Sequence, residues 1–81
     1  NSNCDLFCRK MFFLSLTEMA DAAGDSAAAE DWAQTAARLG DWHVDPAGVP
    51  KWNREQVQKV ADNFEVALDR SAVFEATLQG E

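Results

Sequence analysis

Apolar and polar positions along the chain fall into three stretches of helical period, with glycines and one longer connector between them. In the stretch 27–39, Ala28, Ala29, Trp32, Ala33, Ala36 and Leu39 share one side of a helix, with Glu30, Asp31, Gln34 and Arg38 opposite. In the stretch 54–79, Val57, Val60, Ala61, Phe64, Ala67, Leu68, Phe74 and Leu78 recur at three-four spacing and predict a helix with one apolar stripe. The stretch 5–23 is different. At about 100° per residue, Leu6, Phe7, Met11, Phe12, Phe13, Leu14, Leu16 and Met19 point all round the circumference.

Boundary residues agree with this division. Ser2 or Asn3 can cap the first helix and Gly24 can stop it. The second begins after Asp25 and Ser26 and ends at Gly40. The third has the best-marked start: Asn53 as N-cap, Gln56 as its capping-box partner, and Trp52 with Val57 at the two staple positions. Residues 41–52 form the one ordered loop, with Asp45-Pro46-Ala47-Gly48 suited to a type I turn and Trp42, Val44, Val49 and Trp52 able to pin it to the helices. The expectation is a single all-α domain over residues 1–81, three helices in all, the second and third antiparallel across the loop.

A helix that is apolar all round is normally buried all round. Two companions, one of them short and alanine-rich, offer little with which to cover the first helix. The pattern therefore predicts that Phe7, Phe12, Phe13, Leu14 and Leu16 meet a partner protein, joined by Trp42 and Trp52 from the loop. On that reading, Phe12 and Leu16 changed to Ser weaken assembly and leave the second and third helices folded.

Size and charge narrow the partner. A chain of 81 residues buries only roughly 60% of its unfolded surface, so its own core is modest. Fourteen acids against seven bases give a formal charge of −7, which argues against nucleic acid and against adhesion to anionic lipid. Between Lys10 and Arg38 stand Glu18, Asp21, Asp25, Glu30 and Asp31 with no base among them. A solvated face is the plain reading of that run and a docking surface for a basic partner the second. The run Met11 to Leu16 falls far short of the roughly 20 residues that span a bilayer. A membrane surface is a lesser alternative, because the first helix carries few cationic anchors.

Chemistry-bearing residues are sparse. Cys4 and Cys8 are four apart, and a bridge between them needs Cys4 outside regular helix. Buried or unreactive thiols are the plain expectation; an intrachain bridge or a bond to another chain are the alternatives. Asp41, His43 and Asp45 alternate with Trp42 and Val44 and are acceptable metal donors, but the same alternation suits an amphipathic loop and no fourth ligand accompanies them. His43 is the lone histidine, without the spacing of a Cys-His nucleophile pair. The four glycines form no phosphate-cradling run. Trp32, set among alanines, reads as core, whereas Trp42 and Trp52 at the loop ends read as core or interface alike.

These residues point to a non-enzymatic accessory or scaffolding subunit that needs no cofactor and docks on other protein subunits. The chain starts at Asn1, and a processed start would suit an organellar or exported protein, such as a subunit of a photosynthetic or respiratory complex. One alternative is a free-standing regulatory module that binds a target helix or a small apolar ligand. A thiol-redox or metal-carrying protein is a more distant one.

Overall fold

The computed structural model describes residues 2–40, 45–49, 52–65, 68 and 77. Among them the chain forms three α-helices, α1 (Ser2–Ala22), α2 (Ser26–Ala37) and α3 (Arg54–Asn63), with a 3₁₀ turn at Pro46–Gly48. No strand occurs among the described residues. The fold is a small all-α domain, as the periodicity predicts.

The α1–α2 connection follows from two residues. Gly24 takes φ +79°, a left-handed conformation that costs glycine nothing and other L-residues about 1 kcal/mol or more. Its N–H donates to the Asp21 carbonyl at 3.0 Å, and the Asp25 N–H donates to the Ala20 carbonyl at 3.0 Å. These two bonds are a Schellman ending, and they satisfy carbonyls that the helix end would otherwise orphan. The Asp25 side chain then accepts from the Ala28 N–H at 2.9 Å and caps α2. One aspartate thus closes one helix with its backbone and opens the next with its carboxylate.

This short link makes α1 and α2 an antiparallel hairpin, and theirs is the extensive helix–helix contact among the described residues. The second and third helices, expected antiparallel across the loop, have no comparable contact among the described residues. A sixteen-residue connector between α2 and α3 leaves the third helix free to lie elsewhere, while a three-residue link forces α1 and α2 together. On the α2 side, Ala28, Ala29, Trp32 and Ala36 are buried. Three of these four side chains are methyl groups, so the helices can approach closely. Ser15 is wholly buried on α1, and its hydroxyl donates to the Met11 carbonyl at 2.9 Å, which satisfies it within its own helix. Near the far end of the hairpin, the largely buried Lys10 donates from Nζ to the Gly40 carbonyl at 2.5 Å.

α3 starts where the sequence predicts. Asn53 Oδ1 accepts from the Gln56 N–H at 2.9 Å and Gln56 Oε1 accepts from the Asn53 N–H at 3.0 Å, a complete capping box. Val57 is fully buried and Trp52 packs against the core. Asn53→Ala is expected to lower stability by about 1 kcal/mol, the usual cost of a lost N-cap. A urea titration of both proteins checks this, and unchanged midpoints would refute it.

The far end of α3 differs from the expectation of one helix to residue 79. Phe64 is its C-cap, and Glu65 sits at φ 57°, so the chain leaves the helix there. The left-handed residue costs about 1 kcal/mol without a glycine. Offsetting contacts are visible at Phe64: its ring meets the Phe12 ring edge-on at 6.3 Å, and the Arg9 guanidinium stands 5.0 Å from its centroid. Beyond the break, Leu68 is buried in the core and Thr77 is helical and buried. Ala67, Phe74 and Leu78 lie outside the described residues.

Candidate functional site

The structure divides α1 into two faces. Phe12 and Leu16 are fully buried, and Phe13, Met19 and Ala20 nearly so. Phe12 meets Phe13 at 5.2 Å and stacks with Trp52 at 5.8 Å. Phe13 stacks with Trp32 at 5.7 Å. These contacts correct the reading of Phe12, Phe13 and Leu16 as partner-binding: they are the chain's own core. Trp52, likewise expected at an interface, is half-buried against Phe12. Reach explains the correction. The alanines of α2 cover little area themselves, but Trp32 projects from among them and Trp52 and Phe64 close over Phe12 from the other side.

Opposite the core, one row of α1 stays in contact with solvent. Phe7 is 42% exposed, Met11 and Leu14 are half-buried, Glu18 is half-buried, and Asp21 is exposed. Their numbers advance by four, three, four and three, the spacing that keeps residues on one seam of a helix facing a partner helix. Leu6, 37% exposed, adds apolar surface at the N-terminal end, near where the α2 hairpin runs out. Of the expected contact residues, Phe7 and Leu14 are therefore on an accessible face. Met11 was not among the expected contact residues, and Glu18 and Asp21 stood only in the acidic run whose second reading was a docking surface for a basic partner; the row itself becomes visible only once Phe12, Phe13 and Leu16 are assigned to the interior.

The two cations of α1 are engaged within the chain. Arg9 lies over the Phe64 ring and Lys10 bonds the Gly40 carbonyl. Lys10 was legible in the sequence only as the edge of the acidic run. Among the described residues, neither Glu18 nor Asp21 has an ion-pair partner, so the row passes from apolar at its N-terminal half to anionic at its C-terminal half.

Cys4 and Cys8 both lie within α1, so the helix break that a bridge between them needs is absent. Cys8 is a free, exposed thiol, so of the expected buried or unreactive thiols the buried form does not hold for it. Asp45 accepts from the Ala47 N–H at 3.0 Å through Oδ1, and its carbonyl accepts from the Gly48 N–H at 2.8 Å, the bond of the predicted turn. Trp42, and with it Asp41 and His43 of the metal candidate, lies outside the described residues. Among the described residues no cluster of three or more His, Cys, Asp or Glu could hold a metal, and no helix is long and apolar enough to cross a membrane.

No protein-family model, curated protein or solved structure matches the chain.

Proposed function

We propose that this protein is a small non-enzymatic accessory subunit that docks on another protein through the outward row of α1. The observation that carries the reading is the row itself: Phe7, Met11 and Leu14 at seam spacing, on a helix whose opposite face, with Phe12, Phe13, Leu16 and Met19, is already covered. Full burial of a Phe, Met or Leu side chain contributes roughly 1.5–3 kcal/mol. A partner that covers this row recovers what the exposed fraction of each side chain leaves unrealised.

The test is the native mass of the chain at its natural abundance in its own cells, beside that of Phe7→Ser/Met11→Ser. The wild-type protein is expected in a species well above its own 8.9 kDa, and the variant is expected to be released from it with its helical signal intact. If both run alike, the row does not hold the chain in a standing assembly.

A free-standing regulatory module is the second reading, and one observation favours it. The chain exposes 5026 Å², close to the roughly 4,800 Å² expected of a compact monomer of its mass. On that reading wild type and variant both run as monomers until a target helix is added, and only the wild type then shifts.

A further inference from the structure

We infer that the partner of this row is a basic amphipathic helix, with apolar residues against Phe7, Met11 and Leu14 and Lys or Arg against Glu18 and Asp21; this rests on the docking reading above. The charge along the seam decides the partner's chemistry. Glu18 is half-buried before any partner arrives and Asp21 follows it on the same seam, so a helix laid along the whole row removes water from both carboxylates. Such a pair is tolerable only if the incoming helix supplies countercharge, because desolvated acids without partners oppose binding. Among the described residues neither acid has a countercharge: residues 11–37 contain no base, and Arg9 and Lys10, the cations of α1, are engaged by Phe64 and Gly40.

The same arithmetic rejects a second copy. Two α1 rows packed in parallel set Glu18 against Glu18 and Asp21 against Asp21. Packed antiparallel, they set the acids of each copy against the apolar half of the other, and each copy brings a further formal charge of −7. Like charges across a seam select against a partner as effectively as matched ones select for it.

The test uses synthetic helices of about six turns. One carries Leu at three successive seam positions and Lys at the next two; its counterpart carries Glu in place of Lys. Both are made in both sequence directions, and binding is followed by fluorescence anisotropy. The Lys helix is expected to bind the wild-type protein at least tenfold more tightly than the Glu helix, with the difference collapsing in about 1 M salt, where the screening length falls to roughly 3 Å. Glu18→Gln/Asp21→Asn should erase that preference while both helices still bind. Glu55→Gln/Asp62→Asn, an equal charge change on α3, should preserve it. Loss of the preference in both charge variants alike would overturn the inference, since attraction would then follow net charge alone. Equal binding of the two helices, abolished by Phe7→Ser/Met11→Ser, would overturn the basic partner and leave the docking row standing. Binding of neither helix, or binding unaffected by Phe7→Ser/Met11→Ser, would overturn both.

Discussion

Phe12→Ala is expected to cost about 3–5 kcal/mol, the usual range for a buried Phe truncated to Ala, and to leave much of the chain unfolded at room temperature. Phe12 is 0% exposed and is the ring on which three others converge: Phe13 at 5.2 Å, Trp52 at 5.8 Å and Phe64 at 6.3 Å. Those rings come from α1 itself and from either end of α3, so removal of Phe12 opens a cavity where two elements meet. A domain this small sits toward the low end of the roughly 5–15 kcal/mol typical of folded proteins, which leaves little margin. A urea titration followed by far-UV circular dichroism measures the loss. A change below about 1 kcal/mol would show that Phe12 does not carry the core, because a loss that small is typical of surface sites.

Trp32→Ala is expected to be as damaging, about 3–5 kcal/mol, for a partly different reason. The indole is fully buried, stacks on Phe13 at 5.7 Å, and donates from Nε1 to Thr77 Oγ1 at 2.8 Å. It is thus both the bulk that makes an alanine helix able to cover α1 and a polar tie to a residue 45 positions later in the chain. Trp32→Phe separates the two roles, since it keeps a ring and deletes the donor. It should cost about 1–3 kcal/mol, the range for a buried hydrogen bond that loses one member. Equal losses for the two substitutions would mean that the hydrogen bond, and not the packing, dominates.

Much of this fold is legible in the sequence because its signals are local. The Asn53–Gln56 box, the Asp25 cap and the Gly24 stop are short-range hydrogen-bond problems, and few residue types solve them. The stripes of α2 and the first part of α3 are equally plain, because polar residues fill their opposite faces. The first helix is where sequence reasoning stops. A circle of apolar residues says that burial is needed on every side without saying which neighbour reaches which side chain. The reach of Trp32, Trp52 and Phe64 is a property of the assembled fold, and so is the seam from Phe7 to Asp21 that it leaves open. The end of α3 is illegible for another reason. Glu65 adopts a conformation that glycine usually marks, and no glycine stands near it.

The division of α1 into a core face and a docking row is tested most directly by sedimentation equilibrium of the purified chain. The expected result is a folded monomer of 8.9 kDa, since Phe12, Phe13 and Leu16 are covered without help and the acids of the row repel a second copy. Stable self-association that Phe12→Ser/Leu16→Ser disperses, with the helices still folded, would return those side chains to an interface and contradict that division.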